Sequence, residues 1–289
     1  MKEEYDIKLR GRLGPEKGDQ KGMTILNRCV EWRQDGIYYE ADPRHAEIIV
    51  KEMGVASMAP VVTAGIKTSA LPEEDDPLLD HEHAHKFRRV IARGNLLCQD
   101  RTDIQYATKE TARGMANPRQ SHWDRLVRLA KYLKGRMRYV IKFGKQTGAY
   151  SINAYGDSDF AGEVETRKST SGGMMCLGDH MIKSWSSTQS VIALSTGEAE
   201  LYAINKSAAN GLGAWSLLSD MGLTLDIRIY TDAATGKSMA SRRGLGKVRH
   251  ISVNELWIQE LVQNKSVTIV KIKNKFNPSE ILTKHLGRS

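Results

Sequence analysis

The chain has 289 residues and carries 43 Lys and Arg against 34 Asp and Glu, which gives a net charge of +9 with neutral His. Its 40% hydrophobic residues suffice for a sizeable core, which excludes wholesale disorder and a collagen-like or coiled-coil rod. No stretch approaches the roughly 20 consecutive apolar residues of a membrane-spanning helix. The positive charge favours a polyanionic partner, most commonly nucleic acid, with an ordinary basic enzyme as the alternative.

The first part of the chain predicts a hairpin followed by a helix. Residues 24–32 alternate like a strand, residues 35–36 supply a turn, and residues 37–40 continue as the partner strand. From Asp42 we predict a capped helix with Gly54 as its stop, because Asp is typical of an N-cap and Gly of a helix end.

The middle of the chain predicts a loop and then helices. Between about residues 56 and 80 the sequence is rich in Pro, Gly, Ser and acidic residues, and the acidic run 73–76 indicates a solvated loop. Helices are predicted at 85–97, 104–115 and 121–134, and a strand at 139–143. The three cysteines, Cys29, Cys98 and Cys176, predict reduced, buried thiols in an intracellular compartment.

From about residue 149 the pattern becomes that of an α/β unit. Strands are predicted at 152–157, 173–177, 181–185, 227–232 and 267–272, and helices at 195–221, 233–240, 253–263 and 278–286. Three tryptophans in apolar periodic contexts, Trp185, Trp215 and Trp257, are predicted to lie in the core.

Four acidic residues on these elements indicate a metal site. Asp157 and Asp232 end two strands, and parallel neighbouring strands would bring both carboxylates to one edge of the sheet. Glu200 lies on the long helix and Glu280 on the last one. Converging carboxylates require cations, and hard oxygen ligands select Mg²⁺ or Mn²⁺. Each acid taken alone has a simpler interpretation, as a turn or cap residue or as part of a solvated surface.

Five sequence blocks resemble the ribonuclease H domain of copia-type LTR retrotransposon polyproteins. They are TyrGlyAspSerAspPheAlaGly (155–162), ArgLysSerThrSerGly (167–172), IleLysSerTrpSerSerThrGln (182–189), AlaLeuSerThrGlyGluAlaGluLeuTyrAla (193–203) and AsnProSerGluIleLeuThrLysHisLeu (277–286). Upstream, residues 101–107, 117–126 and 132–135 resemble the segment that joins polymerase to ribonuclease H in these polyproteins, and residues 23–64 resemble the end of the polymerase.

This resemblance implies a fold and a division of the chain. The expected fold class is mixed α/β: a ribonuclease H-like five-stranded sheet, antiparallel for its first three strands and parallel for the last two, flanked by helices and preceded by a smaller α+β connection region. The expected domains are 1–64, a remnant of reverse transcriptase; 65–147, a linker and helical connection; and 148–289, the ribonuclease H-like domain.

The resemblance also implies an activity. It is the endonucleolytic hydrolysis of the RNA strand of RNA–DNA hybrids by two Mg²⁺ or Mn²⁺ ions during reverse transcription of a retrotransposon. The implied partners are the hybrid and an upstream polymerase domain, and the implied location is intracellular, in a cytoplasmic virus-like particle or the nucleus. No Tyr-x-Asp-Asp motif occurs, so we expect the polymerase active site to lie upstream of Met1.

By motif, the family's metal ligands and catalytic residues map onto Asp157, Glu200 and Asp232, with the fourth acid at Glu280. The family normally has Asp at this fourth position. Glu is one methylene longer, and a displacement of about 1 Å can lower a rate by ~100-fold. A catalytically inactive nucleic-acid-binding remnant is therefore the alternative function, and residues 1–147 as a purely structural tether are compatible with either.

Several basic and histidine residues are candidate contacts. Phosphate contacts are predicted at Arg167, Lys168, Arg242, Arg243, Lys247 and Arg249, with a solvated charged surface as the alternative. His81, His83 and His85 alternate as if on a loop or strand and could chelate an ion, although no Cys partner accompanies them. His250 resembles the His of a family block, with a structural role as the alternative.

Overall fold

The computed structural model describes residues 8–67, 71–148, 151–163, 165–246, 251 and 253–285, and it contains two sheets and two hydrophobic cores. The first sheet is antiparallel, in the order β1-β2-β3-β4. Its strands are β1 (Gly22–Ile25), β2 (Arg28–Arg33), β3 (Gly36–Glu40) and β4 (Val140–Gly144). The helices of this half are α1 (Pro43–Glu52), α2 (His81–Leu97), α3 (Thr102–Ala112) and α4 (Gln120–Gly135).

The helices of the first half bury one common core. Each of the four helices contributes fully buried side chains to this core: Ile49 from α1, Phe87 and Ile91 from α2, Ile104 from α3 and Leu129 from α4. Strand β4 also pairs with β3, so that segments from before and after residue 64 share both a core and a sheet. The predicted boundary at residue 64 separates segments that resemble different parts of a polyprotein, and this boundary stays a prediction.

The second sheet has five strands in the order β7-β6-β5-β8-β9. They are β5 (Ser151–Asp159), β6 (Thr170–Leu177), β7 (His180–Thr188), β8 (Asp226–Thr231) and β9 (Thr268–Lys271). Strands β5, β6 and β7 are antiparallel, whereas β8 runs parallel to both β5 and β9. The helices are α5 (Thr196–Asp220), α6 (Ala234–Ser241) and α7 (Trp257–Gln263). The expected ribonuclease H-like fold class is therefore confirmed.

The two halves touch through α3. The Thr102 hydroxyl lies 2.8 Å from the Ser184 hydroxyl on β7, and Lys109 Nζ donates to Thr170 Oγ1 on β6 at 2.6 Å. Helix α3 also packs against a 3₁₀ turn at Pro278–Leu282. The N-terminal half therefore contacts the second sheet directly.

Among the described helices, none combines the length and apolarity needed to cross a membrane.

Three local predictions were wrong. The predicted strand 24–32 is two strands, because Leu26 and Asn27 adopt φ of 51° and 65° and form a two-residue turn of the kind that connects hairpins. The predicted final helix 278–286 is only the short 3₁₀ turn that ends at Leu282. Trp215, predicted to be core, is 38% exposed near the end of α5, whereas Trp185 is buried and Trp257 packs against the same core.

The histidine cluster lies on a helix and not on a loop or strand. Asp80 caps α2 by accepting from the His83 amide at 2.9 Å, and the helix therefore begins at His81, four residues earlier than predicted. Residues two apart on a helix do not face each other, and His83 Nδ1 lies 2.8 Å from Asp80 Oδ2. The proposed chelating arrangement is therefore not formed.

All three cysteines are free thiols, half-buried and not fully buried.

Asp76, predicted to be part of a solvated loop, is buried and holds the start of α4. Its carboxylate accepts from the Ser121 amide at 2.8 Å and from the Ser121 hydroxyl at 2.6 Å. We expect Asp76→Ala to lower the free energy of unfolding by about 1–3 kcal/mol, because it leaves two partly buried donors of Ser121 without their acceptor. Chemical denaturation measures this, with the exposed Asp75→Ala as control. Equal stabilities of the two variants would contradict the assignment.

Candidate active site

Three acidic side chains meet at one end of the second sheet. Asp157, Glu200 and Asp232 each place a carboxylate oxygen in a group whose atoms all lie within 4.8 Å of one another. Within the described part of the chain, no other cluster of three or more His, Cys, Asp or Glu side chains meets this geometry. Three of the four acids predicted as metal ligands are thus brought together.

The two aspartates meet because of the parallel register of β5 and β8. Tyr155 pairs with Tyr230 in this register. Asp157 and Asp232 each lie two residues further along their strands, where β8 has just ended, and they emerge side by side at the carboxyl edge of the sheet. Open α/β sheets bind ligands at this edge.

Glu200 reaches the same point from helix α5. The helix begins at the N-cap Ser195, and its second turn lies over the end of β5. This close approach requires Gly156, since a Cβ there would lie 2.7 Å from Ser207 Oγ and 3.2 Å from Ala203 O. Glu200 is only 6% exposed.

The electrostatics of the three acids disfavour full ionisation. Burial, followed by the charge of Asp157, raises the pKa of Glu200 to about 8. Burial also raises the pKa of Asp157 to about 6, and the neighbouring Asp232 adds to the effect while the Thr283 hydroxyl opposes it. A cation among these oxygens would favour the ionised form of Glu200 and so oppose both its burial and the repulsion by Asp157.

The donor set fits a hard divalent cation. All three ligand candidates are carboxylates, the type that Mg²⁺ and Mn²⁺ prefer over softer ligands. In the described residues the buried Oε2 of Glu200 has no hydrogen-bond partner, which leaves it available for a ligand. Buried polar atoms are normally paired, so an unpaired one at this position is consistent with a metal site.

Glu280, the fourth predicted acid, lies outside this group. Its Oε1 pairs with the Lys284 ammonium four residues later, and its side chain is 33% exposed. Both residues belong to the C-terminal stretch at and after the 3₁₀ turn, and their charges act on Asp157 in opposite directions, since Lys284 lowers its pKa and Glu280 raises it. The role of Glu280 as a ligand stays a prediction.

Two neighbours of Glu280 contact the acids instead, and sequence reasoning missed them. Thr283 Oγ1 donates to Asp157 Oδ2 at 2.5 Å, and Asn277 Nδ2 donates to Asp232 Oδ1 at 3.3 Å. Both lie in the block 277–286 that carries the family resemblance. The motif therefore contained the residues that contact the site, but its only acid, Glu280, was the one predicted as a ligand.

The predicted nucleic-acid contacts have varied surroundings. Arg167 is exposed in the loop between β5 and β6, with Lys168 half-buried beside it. After α6, Arg242 folds back onto the carbonyl of Leu245, whereas the exposed Arg243 donates to a glutamine side chain on α7 at 3.1 Å. Three further residues lie outside the described part of the chain: Lys247, Arg249 and His250. Nucleic-acid binding by the six basic residues stays a prediction.

Comparison with known proteins identifies relatives of this chain. No family model matches it. The retrovirus-related Pol polyprotein from transposon TNT 1-94 of Nicotiana tabacum is 29% identical over 191 residues, which are 65% of this chain and 14% of that protein. The corresponding polyprotein from transposon RE2 of Arabidopsis thaliana is 29% identical over 207 residues, which are 70% of this chain and 14% of that protein.

Among solved structures, LC11-RNase H1 in complex with an RNA/DNA hybrid aligns with 46% of this chain and 93% of its own, with 13% identity and a TM-score of 0.33. The chain spans 14% of the length of the two polyproteins. Over 65% and 70% of its length, the chain is therefore homologous to retrovirus-related Pol polyproteins of plant transposons.

Proposed function

We propose that this chain is a ribonuclease H-type endonuclease that hydrolyses the RNA strand of RNA–DNA hybrids during reverse transcription of a retrotransposon. The observation that carries the proposal is the meeting of Asp157, Glu200 and Asp232 within 4.8 Å at the carboxyl edge of the sheet. Kinship with transposon Pol polyproteins supports the substrate class, because copying RNA into DNA produces such hybrids.

Asp157, Glu200 and Asp232 would hold the divalent cations, Mg²⁺ or Mn²⁺. Two bound ions supply an activated water and stabilisation of the leaving 3′-oxygen. The protein's part is to present ionised carboxylates in a fixed arrangement. Glu200 therefore has to release its proton as it takes up its ligand role, and Asp157 does so more readily because its pKa is lower.

Selection of the RNA strand would rest on shape. The 2′-hydroxyls distinguish RNA from DNA, and contacts to phosphates carry no sequence information. A chain with a net charge of +9 suits such contacts, and its binding should weaken as salt rises. The upstream polymerase domain is the proposed partner within a longer polyprotein.

The test is a cleavage assay with the full chain. We expect an end-labelled RNA strand to be cut when paired with DNA in the presence of Mg²⁺, and an RNA duplex and a DNA duplex of the same sequence to stay intact. Absence of cleavage by folded protein with both Mg²⁺ and Mn²⁺ would refute the proposal.

A second candidate function is a catalytically inactive nucleic-acid-binding remnant. The observation that favours it is Glu280, which replaces the family's usual Asp and pairs with Lys284 outside the carboxylate group. This function predicts salt-dependent hybrid binding without turnover. Fluorescence anisotropy with a labelled hybrid in EDTA measures the binding, and cleavage of the same hybrid after Mg²⁺ is added would exclude the remnant.

A further inference from the structure

The stretch from Asn277 to His285, here called the C-terminal strap, contacts two of the three clustered acids through uncharged donors. The Thr283 hydroxyl binds Asp157, and the Asn277 amide binds both Asp232 and the carbonyl of Gly156, the latter at 3.1 Å. Both strap residues are almost completely buried, at 1% and 4% exposure. The strap therefore lies against the site, while its one acid, Glu280, pairs with Lys284.

The orientation of the Asn277 amide is determined by its surroundings. Its Oδ1 accepts from the hydroxyl of Ser279 at 2.5 Å and from the Ser279 amide at 3.3 Å. The carbonyl of Gly156 can only accept, so the NH₂ group has to face Gly156 and Asp232. The amide thus bridges β5, which carries Asp157, and Asp232, which follows β8.

The strap is held in place from two sides. On the sheet side, the Ser186 hydroxyl on β7 donates to the carbonyl of Leu282 at 2.7 Å. Gly172 on β6 allows the approach, because a Cβ there would lie 2.6 Å from the Thr283 methyl group. On the other side, Tyr106 of α3 packs edge-on against His285 with ring centroids 4.8 Å apart. The strap is therefore held by contacts with both halves of the chain.

The charge of these donors matters for a metal site. A Lys or Arg bound to Asp157 would neutralise the carboxylate and compete with a cation for it. A hydroxyl or an amide restricts the rotation of the carboxylate and leaves its charge available. Groups that orient metal ligands in this way commonly change metal affinity by 10–100-fold.

We propose that Thr283 and Asn277 are positioning residues, which hold Asp157 and Asp232 in the orientation that binds a divalent cation with Glu200. The inference rests on the metal site of the proposed function and deepens it. The strap makes its hydrogen bonds to the site through these two uncharged donors, and helix α3 of the N-terminal half supports it through Tyr106.

The test compares Thr283→Val with Thr283→Ser in the full chain, by calorimetric titration with Mg²⁺. Valine keeps the shape and removes the donor, and serine keeps the donor. We expect Thr283→Val to weaken Mg²⁺ binding by about 10–100-fold and Thr283→Ser to stay close to wild type. The control is Thr108→Val on α3, which removes a fully buried hydroxyl away from the strap.

A purely structural role would lower the melting temperature of Thr283→Val in EDTA and leave its Mg²⁺ affinity unchanged, and that result would overturn the inference alone. Failure of the wild-type protein to bind Mg²⁺ would overturn both the inference and the metal site of the proposed function. Should Thr283→Val not fold, Thr283→Ala removes the same hydroxyl without placing a methyl group against Asp157, and the same loss of affinity is expected of it.

Discussion

Asp157→Asn is expected to abolish cleavage of the RNA strand and to leave hybrid binding largely intact. The substitution removes one of three carboxylates that lie within 4.8 Å of one another and keeps the size of the side chain. In the metal-free protein it also removes a charge that burial and Asp232 disfavour. We therefore expect the melting temperature in EDTA to stay the same or to rise.

Magnesium separates this interpretation from a structural one. A ligand that binds only the folded state raises the melting temperature, so Mg²⁺ should stabilise the wild-type protein and not Asp157→Asn. If Asp157 were instead a structural turn residue, its replacement would lower stability by about 0.5–2 kcal/mol with no dependence on the ion. Thermal scans with and without Mg²⁺ measure both, with the exposed Asp179→Asn as matched control. Equal responses of wild type and Asp157→Asn to Mg²⁺ would remove Asp157 from the site.

Glu200→Gln is expected to stabilise the metal-free protein at pH 8 and to leave it unchanged near pH 4.5. Folding raises the pKa of Glu200 from 4.5 to about 8, chiefly through burial. Its contribution to stability is therefore fully present below about pH 4.5 and is lost as the pH rises through about 8. Glutamine resembles the protonated form and does not titrate. Since one pKa unit corresponds to about 1.4 kcal/mol, the gain at pH 8 is on the order of a few kcal/mol.

Urea denaturation of both proteins in EDTA across this pH range gives the difference directly, because the other titrating groups are common to both. The control is Glu47→Gln, an exposed glutamate on α1. A stability difference between Glu200→Gln and wild type that is constant with pH, or one that grows as the pH falls, would contradict the raised pKa of Glu200. Added Mg²⁺ should reverse the order of stabilities at pH 8, since the wild-type protein alone keeps all three carboxylates.

Much of the second half of the fold is determined by local sequence. The alternation of strands 152–157 and 227–232 and the three- and four-residue spacing on the long helix are short-range patterns, and the structure follows them closely. Asp157 and Asp232 could be predicted as neighbours because parallel strands bring equivalent ends to one edge. Asp42 and Pro43 likewise began a helix as predicted, since a cap acts on the residues next to it.

Contacts between distant residues could not be predicted in the same way. Thr283 and Asp157 are 126 residues apart, and Asn277 and Asp232 are 45 apart. Asp76 was assigned to a solvated loop because its neighbours are acidic, but it caps a helix that begins 44 residues later. No periodicity signals such a pair, since its hydrogen bond forms only when segments far apart in the chain have packed together.

The sequence by itself determined the order of the elements in the second half, because hydrophobic period is a property of short segments. Its resemblance to a known family implied the fold class and the parallel strands that bring acids to the carboxyl edge of the sheet. The tertiary structure alone decided which polar groups meet there. It brought Glu200 to the two aspartates, paired Glu280 with Lys284, and placed Thr283 and Asn277 on the aspartates. The physical reason is that side-chain orientation follows the packing of segments that are far apart in the chain, and a sequence motif specifies residues without specifying rotamers.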